Sequence, residues 1–524
     1  MKKPLLISLA TASLLLTNLS ANNMYDRFEA MEKEMQALKQ EIATLKSAKT
    51  EVEDSQEEDS DDEKTSDEEE TEEEEDEEEE MNIEEEIIDL QDSISDINRA
   101  TSGSHLKFNV DYRFAVENMD YTMADGSNAK NNAFMTNRFW LNMNWAATEN
   151  LSFTGQLAYN KAFGARSGVN GAGYETFDWI ANENAYDDTL RVRSLYFFYR
   201  NDTFLGSEIP WTFSVGRRPS TNGHLVNFRD DDQASSPMAH TINVEFDGAS
   251  AKFSLDSLVE GMYFKLCAGR GMSNAAPKFS PTPYAEVSTA STSIDLGGLI
   301  FTPYDDGQYS VATQYYYAGD LIDAVNPMDP TAGFDTVGGM HSFTANFVSN
   351  GIGEELGDFL DETIFFASFA MSVTDPDENK RMLYASMDTN MNSTDTGISK
   401  TGYSYWFGTN FPSLVSDDGK WGVEYNHGSK YWRSITYGED TNIGSKLATR
   451  GSAYEAYFTE YLIDDILSMQ LRYTYLDYEF SGSNGFFGET TGASMSMDDA
   501  VKFGQGANVV DTAQDIRFYL RYKY

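Results

Sequence analysis

Apolar residues follow two rhythms along this chain, and the rhythm changes near residue 105. From Met24 onward they fall at Met24, Phe28, Met31, Met35, Leu38, Ile42 and Leu45, a strict 4-3-4-3-4-3 spacing. That is the a/d seam of a heptad, with Phe28, Met35 and Ile42 at a. Each g position is followed by an opposite charge at the next e position: Arg27 with Glu32, Glu34 with Lys39, Glu41 with Lys46. The pairing predicts a coiled coil of parallel identical chains over residues 22–50. One amphipathic helix lying alone is the competing reading. With almost no β-branched residue at a, the seam does not choose between two and three strands. The spacing returns at Ile83, Ile87, Leu90, Ile94 and Ile97, predicting a second short helix over 81–100.

From Leu106 the period is two. Leu106, Phe108, Val110, Tyr112, Phe114 and Val116 alternate with Lys107, Asn109, Asp111, Arg113, Ala115 and Glu117. The alternation recurs at Phe139/Leu141/Met143/Trp145, at Leu151/Phe153/Leu157/Tyr159 and at Leu467/Met469/Leu471/Tyr473/Tyr475. In a soluble sandwich the apolar face looks inward; in a membrane barrel it looks outward to lipid, and the polar face lines the interior. Segments of about eleven residues match a tilted membrane strand better than a soluble one. Long polar stretches (117–136, 163–189, 218–240, 271–292, 318–338, 375–400, 429–450, 480–513) alternate with shorter ones (146–150, 201–210, 257–261, 302–307, 349–362, 411–419, 461–466), as external loops alternate with periplasmic turns. A hairpin at Asp247-Gly248 would give 17 strands with the ends on opposite sides. A bulge at Gly248 inside one strand from about Asn243 to Leu255 gives 16, and that is the expected count. A barrel of that size is expected to leave an aqueous channel.

The final strand carries the strongest single signal. Ile516, Phe518, Leu520, Tyr522 and Tyr524 point one way, and Arg517, Tyr519, Arg521 and Lys523 the other. This resembles the terminal strand of bacterial outer-membrane β-barrels, which closes the barrel and is read by the insertion machinery; the usual last residue there is Phe rather than Tyr. The other end of the chain agrees. Lys2 and Lys3 precede an apolar run from Leu5 to Leu16 and the small pair Ser20-Ala21, the layout of a secretory signal peptide over 1–21. No segment approaches the run of roughly 18 apolar residues that a membrane helix needs.

Composition narrows the chemistry. Residues 51–80 hold 22 acidic side chains and one lysine, Lys64. Such a run repels itself and forms no core, so it is expected to be a disordered spacer; collecting cations is a second use for it. Residues 97–524, which contain the expected barrel domain (101–524), carry 30 basic and 53 acidic side chains, a field that favours cations. The single cysteine, Cys267, excludes an intrachain disulfide, and five scattered histidines give no zinc site, so no metal or cofactor is expected.

Across 105–524 the architecture resembles porins. The stretch Trp211-Thr212-Phe213-Ser214-Val215-Gly216-Arg217-Arg218 is similar to the Gly-Arg-ended strand before the long third loop of many porins. The resemblance implies an outer-membrane, transmembrane antiparallel barrel passing small hydrophilic solutes or ions, in contact with outer-membrane lipid and lipopolysaccharide, commonly trimeric, with no nucleic-acid partner. Candidate lumen residues are Arg191 and Arg193 on one strand, Arg217 and Arg218 at the base of the third loop, and Arg229, Asp230, Asp231 and Asp232 within it. Opposite charges facing across a narrow lumen would sort solutes by charge; a solvated loop tip is the alternative. A structural tether from the outer membrane to the periplasm and cell wall through the helical prefix is a second function. For catalysis, Ser220 and His224 are near one another, but no acid orients them, so an enzyme is not expected.

Overall fold

The computed structural model describes residues 106–524 except 164–189, 219–222, 273–274, 277–284, 287–292, 325–333, 353–356, 384–395, 417, 437–438, 440 and 484–491. The signal peptide, coiled coil, acidic spacer and second helix expected before residue 101 lie outside the described residues, as does Ser220. Sixteen antiparallel strands form one closed barrel. They are β1 (Leu106–Met123), β2 (Asn128–Ala146), β3 (Leu151–Ala162), β4 (Arg191–Asn201), β5 (Trp211–Arg218), β6 (Phe246–Ser254), β7 (Tyr263–Met272), β8 (Ile294–Asp305), β9 (Tyr309–Ala324), β10 (Phe334–Asn350), β11 (Ile364–Pro376), β12 (Thr401–Pro412), β13 (Gly419–Gly428), β14 (Gly451–Ile463), β15 (Leu467–Tyr478) and β16 (Val510–Lys523). Closure is direct: β16 pairs with β1, with Arg113 opposite Arg521 and Glu117 opposite Arg517. Tyr524 continues the ladder, its amide donating to Val110 O at 2.8 Å. A closed barrel leaves no strand edge unpaired.

The period-two pattern places its apolar half outside. In β16, Ile516 is 52% exposed and its neighbour Arg517 is 1% exposed. Rings gather at two levels of the outer wall. Tyr405, Tyr425, Tyr454 and Tyr475 form a row near the long-connection end, with successive centroids 6.1, 5.1 and 6.3 Å apart. Tyr199, Trp211, Phe253 and Phe264 form another near the short-turn end. Paired aromatic girdles around an apolar band are the mark of a wall built to sit in lipid.

The structure corrects three expectations. The stretch 117–136 is not a loop: β1 runs on to Met123 and β2 starts at Asn128, with a tight turn at 124–127 where Gly126 has φ 83°. Beyond the apolar band a hairpin needs only its ladder, so polar side chains do not end it. The connection read as 318–338 shrinks to 325–333 for the same reason. Gly248 lies inside β6, which fixes the strand count, but it is not a bulge, since Gly216–Gly248–Gly269 stay in register across β5, β6 and β7. Glycine is needed there because a Cβ on Gly248 would come within 2.3 Å of Ala268 O.

The third correction concerns the interior. Residues 223–245 (between β5 and β6) and the described residues of 429–450 (between β13 and β14) both fold into the barrel and pack on each other and on the wall. Ile242 and Asn243 pair in parallel with Ile435 and Thr436. Ile242, Val244 and Ile435 join Tyr316, Leu321 and Met340 of the wall in one buried apolar cluster. Leu225, Val226 and Ala239 join Val348, Phe366, Trp406 and Leu447 in another. Glycine makes room for this: a Cβ on Gly402 of β12 would come within 2.3 Å of the Trp432 backbone. On the β9–β13 side, therefore, the middle of the interior is a packed core rather than water.

Candidate functional site

The inserted segment 223–245 crosses the interior and is held at both ends. One end is a short helix, α1 (Asn227–Asp230), followed by Asp231 and Asp232. This is the acidic stretch singled out in the sequence, and it is neither a free loop tip nor a charge facing its partner across an open gap. Asp232 accepts from Arg521 at 2.8 Å and from Lys523 at 2.8 Å. Asp231 pairs with Lys420 at 3.3 Å and accepts from the Tyr461 hydroxyl. Arg521 also donates to Asp230 O and pairs with Asp111 at 2.6 Å. The acidic stretch and the basic face of the last strand, both legible in the sequence, thus meet across 289 positions.

The other candidates divide. Arg229 pairs with Asp230 at 3.1 Å and with Glu455 of β14 at 3.5 Å, and donates to Glu439 O. Arg193 and Arg217 converge on Glu245, at 3.5 and 3.1 Å, where the inserted segment rejoins the wall. Arg218, beside Arg217 in sequence, points elsewhere: it donates to Ser214 Oγ at 2.6 Å and lies 4.2 Å over the Tyr196 ring. Arg191 is half-buried opposite Ala158 at the start of β4. Arg138 pairs with Asp111 at 3.1 Å and stacks 3.5 Å from the Trp140 ring, which Arg193 approaches to 4.3 Å.

Sequence reasoning missed the groups that carry most of the charge. Lys446, on the second inserted segment, donates to Glu424 and Glu455 at 2.5 Å each. Glu455 also accepts from Thr474 Oγ1 at 2.9 Å and sits 3.8 Å from Arg472. It therefore ties both inserted segments to β14 and β15. Burial alone would depress the Lys446 ammonium, but the carboxylates of Glu424 and Glu455 outweigh it and hold the proton above the usual range. Burial pushes the Glu439 carboxyl up, against the pull of Lys446 and Arg229. Arg450 donates to Trp432 O at 2.8 Å and to Ser481 O at 2.7 Å, closing the base of the second segment.

Between α1 and the Glu245 junction, the first segment is also held by a neutral contact at His240. His240 is fully buried, with Nδ1 2.6 Å from Ser368 Oγ and Nε2 2.8 Å from Ser404 Oγ, between the edges of Trp406 and Trp432. Thr241 bonds Thr344 Oγ1 at 2.7 Å and accepts from Gln314 at 3.0 Å, and the Tyr316 hydroxyl donates to Thr241 O. Burial without a carboxylate partner pushes the His240 imidazole down to about 3. His224, the other residue weighed for catalysis, is also buried, bonded to Asn346 at 2.9 Å and pushed down to about 4. Neither arrangement presents an activated nucleophile.

What the segments leave open is polar. A cavity of about 700 Å³ is lined by Asp230–Asp232 and by the wall residues Asn142, Gln156 and Arg521. A second, of about 660 Å³, opens at the short-turn end, where Asp361, Glu362, Asp418, Asp464 and Asp465 surround Lys420. A third, of about 340 Å³, lies under residues 234–238.

Among solved structures, the chain is similar to in-vitro folded OmpT, an outer membrane protein of Vibrio cholerae, at 12% identity, over 80% of this chain and 97% of that one, with a TM-score of 0.40. It is similar to OprB of Pseudomonas putida at 13% identity, over 80% and 94%, with a TM-score of 0.43. It is also similar to an anion-selective porin from Comamonas acidovorans at 9% identity, over 80% and 99%, with a TM-score of 0.44. No curated protein matches the sequence significantly. The family described as protein of unknown function (DUF3373) matches residues 128–524, from β2 to the closing strand, and this chain is a member of that family.

Proposed function

We propose that this protein is an outer-membrane channel for passive diffusion of small hydrophilic solutes or ions, with the inserted segments setting the width of the path. The observation that supports this reading is a closed barrel with an apolar outer band whose interior still holds polar cavities of about 700 and 660 Å³ beside the inserted segments. Six carboxylates, those of Asp361, Glu362, Asp418, Asp464, Asp465 and Asp231, against one lysine around the second cavity enrich cations at the short-turn mouth, so the path favours cations. Asp230, Asp231 and Asp232 act as the clasp that fixes the segment against β16 and β13, and the field at the constriction is the remainder after that pairing.

Purified full-length protein in a planar bilayer tests the reading. Stepwise conductance with a reversal potential on the cation side of zero under a salt gradient is the expected result. Silence from folded protein would shift the function to the tether. The heptad charges further support an assembly of parallel identical chains with the N-terminal segment in the periplasm; three chains follow from the resemblance to porins, and native mass spectrometry of detergent-extracted protein should read three. A monomer would end that part of the proposal.

A further inference from the structure

Most cations that face the interior meet an acid: Arg138 has Asp111, Arg193 has Glu245, and Lys446 has Glu424 and Glu455. Three do not. Arg218, Lys252 and Lys265 stand on the consecutive strands β5, β6 and β7, and among the described residues no carboxylate lies within 4.0 Å of any of their charged groups. Their contacts are neutral. Lys265 Nζ donates to Ser236 Oγ at 2.6 Å, and Lys252 Nζ sits 3.8 Å from the Tyr263 ring centroid. Arg218 donates to Ser214 and lies over Tyr196. Moreover, Lys252 and Lys265 are direct cross-strand partners. Like charges placed opposite one another destabilise a sheet pair. In a chain with 86 acidic residues to draw on, no carboxylate among the described residues comes within ion-pair distance of this pair.

Both lysines line the cavity of about 340 Å³ that residues 234–238 roof over, together with Ser235, Ser236 and the Tyr263 ring. Asp305 lines the same cavity, beyond ion-pair distance of either lysine. Arg218 shares Lys265 and Ser236 with the adjoining crevice. Two ammonium groups and one carboxylate, with the hydroxyls of Ser236, Thr302 and Tyr263 beside them, leave this space with a net positive charge. An ionised oxygen acceptor is the complement.

We propose that this cavity is a subsite for a small oxyanion, of carboxylate or phosphate type, held between Lys252 and Lys265 under the 234–238 roof. The inference rests on the channel reading for the ligand's route of access and not for its affinity. A cationic step on an acidic path would retain an anionic solute briefly while cations pass along the Asp-rich side.

Isothermal titration of detergent-folded full-length protein tests it, with succinate, inorganic phosphate and chloride as separate titrants. Saturable binding of succinate or phosphate, and none of chloride, is expected; whichever of the two binds identifies the oxyanion. The Lys252→Gln/Lys265→Gln variant should lose affinity by roughly tenfold or more per charge removed. The Lys252→Arg/Lys265→Arg variant, which keeps the charge, should retain it, and Arg218→Gln should fall between. Heat-modifiability on a gel checks that each variant is folded. If the double Gln variant does not fold, the Arg218→Gln and double Arg variants still give the comparison. No saturable binding by the wild type, or equal binding by a folded Gln variant, overturns the proposal. Conductance measured on the same preparation separates the two readings: a conducting barrel that binds neither oxyanion loses the subsite alone, and a silent barrel that binds one loses the channel alone.

Discussion

Two anchor points of the inserted segment 223–245, the charged one at α1 and the neutral one at His240, solve one problem by opposite chemistry. Around α1 the contact is made by charges: Arg229 and Lys446 meet Glu455, with Arg472 behind it, all buried. At His240 the contact is an imidazole between two serine hydroxyls and two indoles, equally buried and uncharged. A buried ion network carries a desolvation cost that its own pairing must offset, so it is robust while complete and fragile to loss of one member. A neutral contact carries no such cost but fails if a proton arrives. The charged anchor should therefore break by mutation and resist pH, and the neutral anchor should do the reverse.

Removing Glu455 has the largest expected effect. Glu455→Ala leaves Lys446, Arg229 and Arg472 without a shared carboxylate in a site closed to water, and breaking a buried pair on one side costs about 3–5 kcal/mol. Thermal unfolding of the detergent-folded barrel, followed by gel mobility, should shift clearly downward, and conductance should grow noisy as both inserted segments loosen. An unchanged transition would mean the network is wet and weak, and the contrast between the two anchors would be lost.

That contrast was only partly legible in the sequence, for physical reasons. Period two is a local property of a strand, so the outward face of β16 and the sixteen-strand parity could be read from neighbours alone. The hairpin at 117–136 misled because its ladder continues past the apolar band, where alternation carries no signal. The interior was harder. Arg229 to Asp232 stood out as charge inside a loop, but Glu455 reads as one more polar residue on the inner face of a strand. His240 and its partners Ser368 and Ser404 lie 128 and 164 positions apart, and nothing in either neighbourhood announces the contact. The segment 429–450 has no periodicity at all, and its Trp432, Ile435 and Leu447 were the only hint that a long loop would bury itself.

Acid is the gentler probe and addresses the neutral anchor. His240 ordinarily takes its proton near 6.5, and burial holds it down at about 3. A segment detached from the wall binds the proton first, so the detached state gains protons as pH falls through 6.5, and stability is lost from there down toward 3. At about pH 4.5 a fully buried imidazole of this kind costs on the order of 2 kcal/mol of attachment. Of the charged groups that bond the two flanking tryptophans, Glu424 accepts from Trp406 Nε1 at 2.9 Å and is already paired with Lys446, and Arg450 donates to Trp432 O at 2.8 Å and is itself a cation, so none offers a free carboxylate to a histidinium. Because Trp406 and Trp432 flank the ring, their fluorescence should change between pH 6.5 and 4 while the barrel stays folded by heat-modifiability. His240→Gln, which keeps a donor and an acceptor for the two serines but cannot titrate, should flatten that change. His224, pushed down to about 4, is the control: if the transition survives unaltered in His240→Gln and disappears in His224→Gln, the sensitive anchor of the segment is the one near Asn346 and the comparison drawn here is placed at the wrong residue.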